Sequence, residues 1–163
     1  MRRGFTLLEL LIGLCVVSLL MLLGGQGAGY LLQQTRMTSA AHDLAAFVNT
    51  AKAMSIKQRQ TLTISVIRTN ETSAWLLELT EQNPNLNSKP LLILDGARYP
   101  HVALNARYAE AQLLLFGQRG KLSNGHFEFF ISSNKALKLI TSYGGGRLRI
   151  CGKEESVYGY PSC

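Results

Sequence analysis

The sequence predicts an α+β protein in which a long N-terminal helix packs on a mostly antiparallel β-sheet domain. Three patterns predict this fold: an uncharged apolar stretch near the N-terminus, an amphipathic stretch after it, and then short apolar or alternating runs separated by turn residues. No helical pattern separates the later runs, so their strands are expected to pair antiparallel. A length of 163 residues suits one globular domain mounted on a helix.

The first element is an apolar segment long enough to cross a bilayer. After Glu9 the next charged residue is Arg36, and a membrane-spanning helix needs only about 20 apolar residues. Arg2 and Arg3 precede the segment, so the positive-inside rule predicts a cytoplasmic N-terminus and a domain on the far side of the membrane. The glycines within residues 24–29 are expected to soften the helix, because each costs about 1 kcal/mol relative to alanine.

A more specific signature surrounds the start of this segment. Residues 2–12, Arg-Arg-Gly-Phe-Thr-Leu-Leu-Glu-Leu-Leu-Ile, resemble the leader and helix start of type IV pilins and type II secretion pseudopilins. The resemblance implies that a prepilin peptidase removes residues 1–4 by cutting after Gly4, and then methylates the new N-terminus at Phe5. It also implies a chain held in the bacterial inner membrane, with its C-terminal domain in the periplasm. Assembly would then place it beside other pilin subunits in an extracellular pilus or a periplasmic pseudopilus.

Glu9 is the unusual residue of the segment. A charged side chain costs about 2.5–3.5 kcal/mol or more at the centre of a bilayer, so it marks a candidate functional position. One interpretation is that Glu9 lies near the membrane surface and is hydrated. The other, which the resemblance implies, is that Glu9 pairs during filament assembly with the freed amino group of Phe5 on a neighbouring subunit.

Residues 33–59 predict the amphipathic half of the same helix, with residues 5–32 as its transmembrane half. Apolar residues recur at steps of three and four, whereas most charged residues fall off that face. The face is interpreted as packing against the β-rich domain, residues 60–163, and not as a cofactor site. Its members are Met37, Ala41, Leu44, Val48 and Ala51.

Strands are predicted where alternating or apolar runs are bounded by glycine, asparagine or proline. A turn is predicted at residues 70–73 and a loop at residues 81–90. The predicted strands cover residues 61–68, 74–80, 91–94, 112–116, 126–131, 137–141 and 147–151.

The cysteines divide between two environments. Cys15 lies in the apolar segment, where a cysteine most often serves as a small apolar residue. Cys151 and Cys163 flank the C-terminal tail on the oxidising side of the membrane, so a disulfide is predicted between them, with two free thiols as the alternative. Closing a loop of this size would stabilise the fold by about 3 kcal/mol on the chain-entropy model.

The C-terminal part carries a second resemblance. Phe116-Gly-Gln-Arg-Gly120 and the late Gly146-Arg147-Leu148-Arg149 resemble the GspH/FimT branch of minor pilins and pseudopilins. The second motif is similar to the C-terminal motif of the FimT minor pilins, which are implicated in DNA capture during natural transformation. The resemblance therefore implies double-stranded DNA as a partner.

The residues themselves are suited to that partner. Alternation along the last predicted strand places Arg147 and Arg149 on the solvent face, with Leu148 and Ile150 toward the core. Guanidinium groups grip phosphate bidentately, and residues 144–146 are glycines expected to expose backbone N–H groups. The formal net charge of +7 also favours acidic partners. The predicted DNA-binding residues are Gly146, Arg147, Arg149, Arg119, Lys121, Lys138 and Arg107.

Such a site predicts sequence-independent, salt-sensitive binding to the phosphate backbone. The alternative for the arginines is that they protect an edge strand from pairing with another chain. Tyr158 and Tyr160 also remain open: either they stack on bases or they pack on the sheet.

Catalysis is not predicted, and neither is a cofactor or a metal site. His42, His101 and His126 occur singly, without metal-ligand spacing. The glycine run lacks the lysine and serine or threonine of a phosphate-binding loop. Two functions therefore remain: a minor pilin that assists DNA uptake, and a structural pseudopilin or minor pilin that primes or caps a filament without binding DNA.

Overall fold

The computed structural model describes residues 6–68, 75–82, 89–132 and 135–163, apart from the side chains of residues 22–28. One helix, α1, runs over Leu7–Gln58. The chain divides into two compact units, whose boundary lies between Thr35 and Arg36. The prediction of an α+β fold, with a long N-terminal helix and antiparallel sheets, is confirmed.

The N-terminal unit begins with a side-chain cap. The backbone N–H of Glu9 donates to Thr6 Oγ1 at 3.3 Å, and the Thr6 hydroxyl donates to Glu9 Oε2 at 3.5 Å. This is the threonine and glutamate spacing of a capping box, and a carboxylate in the first turn also suits the helix dipole. The leader, residues 1–4, and the predicted cleavage and methylation positions, Gly4 and Phe5, lie outside the described residues.

The described side chains of this unit expose a continuous apolar surface. Leu7, Leu20 and Met21 are among the most exposed, and Glu9 is exposed as well. When only the described residues are considered, no helix meets the length and hydropathy expected of a membrane span.

The part of α1 in the second unit buries the predicted face. Met37, Ala41, Leu44, Val48 and Ala51 are each at most 1% exposed, which confirms the periodicity. The helix ends in a Schellman motif, because the N–H of Gln60 donates to the Ser55 carbonyl oxygen and the N–H of Arg59 donates to the Ile56 carbonyl oxygen. The predicted end of the helix, near Arg59, is therefore confirmed.

Two antiparallel sheets complete the second unit. The first is five-stranded, in the order β3-β2-β1-β5-β6, and the second is four-stranded, in the order β4-β7-β8-β9. Each predicted strand is present, whereas β4 and β6 were not predicted. β4 reads Ala-Leu-Asn-Ala-Arg, which has low β-propensity, and β6 is only two residues long. The strand bounds are β1 Thr61–Arg68, β2 Trp75–Glu81, β3 Leu92–Asp95, β4 Ala103–Arg107, β5 Gln112–Phe116, β6 Lys121–Leu122, β7 Gly125–Ser132, β8 Lys135–Ser142 and β9 Arg147–Gly152.

Loop predictions are only partly covered by the described residues. The predicted turn at residues 70–73 lies outside them, as do residues 83–88 of the predicted loop. Glu81, which the prediction placed in that loop, is the last residue of β2.

The core of the second unit lies where α1 and the inner faces of both sheets meet. Alternate residues of each strand point into it, as a half-buried antiparallel sheet requires. Its largest fully buried side chains are Phe127, Phe129, Met37, Leu44, Leu62, Ile64, Leu77, Leu79, Leu113, Leu115, Leu122 and Leu137.

The C-terminal tail folds back beside β9. Cys151 and Cys163 form a disulfide, so that prediction is confirmed. The N–H of Gly152 donates to the Pro161 carbonyl oxygen at 2.7 Å, which pairs the tail with the end of the strand. Tyr158 is only 4% exposed and belongs to the core, which excludes base stacking by this ring.

Candidate nucleic-acid interface

The two arginines of the late motif lie on β9, at one end of the four-stranded sheet. Both Arg147 and Arg149 are exposed, whereas Leu148 and Ile150 are half-buried and pack against the core. The predicted division of this strand into a solvent face and a core face is confirmed. Within the described part of the chain, neither arginine forms an ion pair with a carboxylate, so both charges are available to a ligand.

Strand register extends the solvent face of β9 across the whole sheet. Arg149 lies opposite Ile140 of β8, Ile140 opposite His126 of β7, and His126 opposite Arg107 of β4. Three inter-strand spacings separate the two arginines, or about 14 Å. Lys138 lies on the same face, two residues before Ile140. We call Arg107, His126, Lys138 and Arg149 the outer face.

A buried carboxylate interrupts the positive charge of the outer face. Glu128 is 8% exposed, and its Oε1 lies 2.8 Å from Lys153 Nζ. The hydrogen bond from Lys153 holds the pKa of Glu128 below its usual range, against the opposing effect of burial. Because this ion pair is internally neutralised, Lys153 contributes less free charge than Arg107 or Lys138.

A side chain of α1 supports the glycine turn before Arg147 through a hydrogen bond. Gly146 is buried, has a φ of 56°, and donates its N–H to the Ser142 carbonyl oxygen at 2.9 Å. Its own carbonyl oxygen accepts a hydrogen bond from Lys52 Nζ at 2.7 Å. A Cβ at this position would lie 2.6 Å from the Gly120 carbonyl oxygen. The expectation that Gly146 exposes its N–H to a ligand is therefore wrong: this glycine is needed for close packing.

The same packing brings the turn between β5 and β6 next to the turn between β8 and β9. Arg119 is exposed at the first of these turns, and Lys121 begins β6 two residues later. Lys121 Nζ lies 4.3 Å from the centre of the Tyr143 ring, within cation–π range. We call Lys52, Arg119, Lys121, Arg147 and Arg149 the basic corner.

The predicted DNA-binding residues thus fall into two connected groups. Arg119, Lys121 and Arg147 come together at the basic corner, Arg107 and Lys138 lie on the outer face, and Arg149 belongs to both. Sequence reasoning missed Lys52, His126 and Tyr143. No local pattern indicates the role of Lys52, because its hydrogen bond joins residues that are 94 positions apart.

We expect Lys52 to position the basic corner as well as to contribute charge. Replacing Lys52 with glutamine should lower the free energy of unfolding by about 1–2 kcal/mol, because the hydrogen bond to the Gly146 carbonyl is charge-assisted. The NMR shift of the Gly146 amide should change at the same time. Lys57→Gln removes the same charge from the exposed last turn of α1 and is the matched control. Equal effects of the two variants on the Gly146 amide would contradict a positioning role.

We also expect the outer face to respond to pH through His126. Burial lowers the pKa of His126, with Lys138, Arg107 and Lys153 adding to the shift and Glu128 opposing it. The folded pKa is thus below the unfolded value of about 6.5, so stability should be lost as the pH falls below that value. A bound phosphate should raise this pKa. NMR titration of the His126 ring, without and with DNA, measures both effects, and a midpoint above 6.5 in the free protein would contradict the first.

The described residues contain no cluster of histidine, cysteine and acidic side chains suited to holding a metal ion. His42 and Asp43 of α1 do lie together, with His42 Nδ1 3.8 Å from Asp43 Oδ1, because they are adjacent in the sequence. The Tyr99 hydroxyl donates a hydrogen bond to Asp43. Burial, followed by this hydrogen bond, raises the pKa of Tyr99 to about 12. Asp43 thus anchors a tyrosine of the core.

Known proteins resemble this chain in sequence and in fold. The family model of the type II transport protein GspH matches residues 40–156. Among curated proteins, none matches the chain. Two crystal forms of the type IV minor pilin FimU from Pseudomonas aeruginosa strain PAO1 share the fold. One has 19% sequence identity and a TM-score of 0.53, covering 72% of this chain and 90% of that one. The other has 21% identity and a TM-score of 0.50, covering 72% and 92%.

Proposed function

The chain belongs to the GspH family of type IV minor pilins and pseudopilins, and from this starting point we propose that it binds double-stranded DNA non-specifically and assists DNA uptake in natural transformation. The observation that carries the proposal is the pair of exposed arginines on β9, Arg147 and Arg149, with no carboxylate partner among the described residues. DNA phosphates supply the negative charge that these groups lack.

The shape of the surface supports binding along a DNA backbone. Arg147 belongs to the basic corner and Arg149 continues onto the outer face, where Arg107 lies about 14 Å farther across the sheet. Cations spread over such a distance can contact several phosphates, whereas a small anion would need donors converging on one point. These contacts position a duplex but do not read its sequence.

A single domain of this kind should bind weakly. A few phosphate contacts give a non-specific Kd of about 10⁻⁴–10⁻⁶ M at physiological salt. Effective capture would then require several copies near one another, because linked sites raise the local concentration of the ligand. A pilus presents its subunits in this way.

The N-terminal unit supports the filament part of the proposal. We propose that residues 1–4 are the leader removed by prepilin peptidase after Gly4, that Phe5 is then methylated, and that the helix anchors the chain in the inner membrane before assembly. Exposed leucines such as Leu7 and Leu20 suit either lipid or neighbouring helices. Glu9 is exposed in the first turn, and we propose that it pairs during assembly with the freed amino group of Phe5 on another subunit.

A purely structural role is the alternative, in which the chain primes or caps a filament without touching DNA. The match to a type II transport protein favours this role as much as it favours DNA uptake. Gene deletion separates the two: lost transformation with normal piliation supports DNA uptake, whereas lost piliation or secretion supports an assembly role.

The direct test is DNA binding by the full-length chain in a non-ionic detergent. Fluorescence anisotropy of a labelled duplex should show binding that weakens steeply between about 50 mM and 200 mM salt, because neutralised phosphates release counterions. Two duplexes of unrelated sequence should bind equally. Binding that ignores salt, or no binding at the lower salt concentration, would contradict the proposal.

A further inference from the structure

Beside the basic corner lies a cleft that shares Arg119 with it. Its volume is about 300 Å³, at the lower end of the range for small-molecule sites. Thr61, Phe116, Gln118, Arg119 and Tyr143 line it. Aromatic rings, an amide and a guanidinium group therefore share one opening.

Tyr143 is the exposed ring of this cleft. It is 37% exposed, although most of the aromatic side chains of the second unit are more deeply buried. Two neighbours support it: Phe116 makes an edge-to-face contact with 5.8 Å between ring centres, and Lys121 Nζ lies 4.3 Å from the centre of the ring. Its backbone N–H donates to Asn124 Oδ1 at 2.7 Å, which holds the start of the glycine turn in place. The ring is thus presented to solvent from a supported position.

Strand register places the backbone of Tyr143 close to an arginine of the basic corner. Ser142 pairs with Arg147 across β8 and β9, and Tyr143 directly follows Ser142. Directly opposed residues of an antiparallel pair lie about 5 Å apart. A nucleic-acid backbone held by Arg147 would therefore pass near the cleft that Tyr143 lines.

We propose that this cleft binds one unstacked nucleobase of single-stranded DNA, with the base stacking on Tyr143. The proposal rests on the proposed function for the phosphate contacts. Bases within a duplex are stacked on one another and cannot enter, whereas every unpaired base offers a π-face to an aromatic ring. The amide of Gln118 and the guanidinium of Arg119 lie where they can hydrogen-bond the polar edge of that base.

The test compares three probes on the full-length chain in non-ionic detergent. They are a short single-stranded oligonucleotide, an abasic strand with the same number of phosphates, and a duplex. Tyr143→Ala should weaken binding of the single strand by about 5- to 150-fold, the loss expected when one stacked base is released. The same variant should change the affinity for the abasic strand and the duplex by no more than about twofold, because neither presents a free base.

A tryptophan at this position provides a second readout. Trp75, the single tryptophan of the chain, is 3% exposed. Tyr143→Trp therefore adds a solvent-facing tryptophan whose fluorescence is observed beside that of the buried Trp75. This variant should keep the single-strand affinity, and its fluorescence should be quenched by the single strand but not by the abasic strand. Unchanged far-ultraviolet circular dichroism and an unchanged Tm in both variants confirm that the fold is intact.

Two outcomes would overturn the proposal. One is unchanged single-strand affinity in Tyr143→Ala. The other is equal weakening of the abasic strand and the single strand, which would reduce Tyr143 to a support for the turn. Failure of the proposed function would give a different result. Duplex binding would then be absent, or its affinity would not change when Arg147 and Arg149 are replaced, while both Tyr143 variants remain folded.

Discussion

Replacing Arg147 and Arg149 together with glutamine is expected to weaken duplex DNA binding and to reduce its dependence on salt. Each arginine that neutralises one phosphate contributes about 0.9 to the slope of log affinity against log salt, so the double variant should lose about 1.8 from that slope. Glutamine keeps much of the side-chain length but carries no charge. Both side chains are exposed and neither forms an ion pair among the described residues, so the fold should be unaffected.

The control for this prediction is a third exposed arginine. Arg98 lies in a short helical turn beside Trp75, where β2 begins. The basic corner lies near the opposite end of the same sheet, where Thr61 pairs with Phe116. Arg98→Gln removes the same unit of charge and should change the slope very little. An equal loss for Arg98→Gln and for Arg147→Gln or Arg149→Gln made singly would mean that net charge, and not this corner, drives binding.

Removing the disulfide is expected to have the largest effect on stability. With Cys151 and Cys163 both replaced by alanine, the unfolded chain regains the freedom of a loop with a sequence separation of 12. The chain-entropy model gives a loss of about 3 kcal/mol, equivalent to a decrease in Tm of roughly 6–12 °C for a protein of this size. The tail also carries Val157 and Tyr158 into the core, so loosening it exposes apolar surface.

Thermal unfolding, followed by circular dichroism of the buried Trp75, measures this change. Wild-type protein treated with a reductant should behave like the double variant. Cys15→Ala, which removes the free cysteine of the N-terminal unit, is the control and should leave Tm unchanged. A decrease of less than about 2 °C in the double variant would mean that the other contacts of the tail hold it without the disulfide.

The parts of the fold that were predicted correctly depend on local patterns. The buried face of α1 follows from apolar residues at helical spacing, from Met37 to Ala51. In a soluble domain, such a stripe packs against the core. The division of β9 follows from strict alternation around Arg147 and Arg149. β4 escaped prediction because Asn105 and its alanine neighbours have weak strand preference, and only pairing with β7 makes them a strand.

The candidate site was predicted as a set of residues but not as a surface. Arg107 and Lys138 were assigned to DNA binding from charge and resemblance, and the register of the four-stranded sheet now places both on the face of Arg149. Gly146 was assigned an exposed N–H, whereas its positive φ and its contacts with Lys52 and Gly120 make it a packing residue.

By itself, the sequence determined the features that depend on the spacing of residues within one helix or strand, and on the pair of C-terminal cysteines. These are the apolar helix, its buried face, the alternation of β9 and the disulfide between Cys151 and Cys163. Only the tertiary structure decided which turns meet, which strands are neighbours, and that Lys52 supports Gly146 from the helix. Contacts of this kind join residues far apart in the chain. Their geometry depends on how the whole core packs, because no local pattern encodes strand order or register across a sheet.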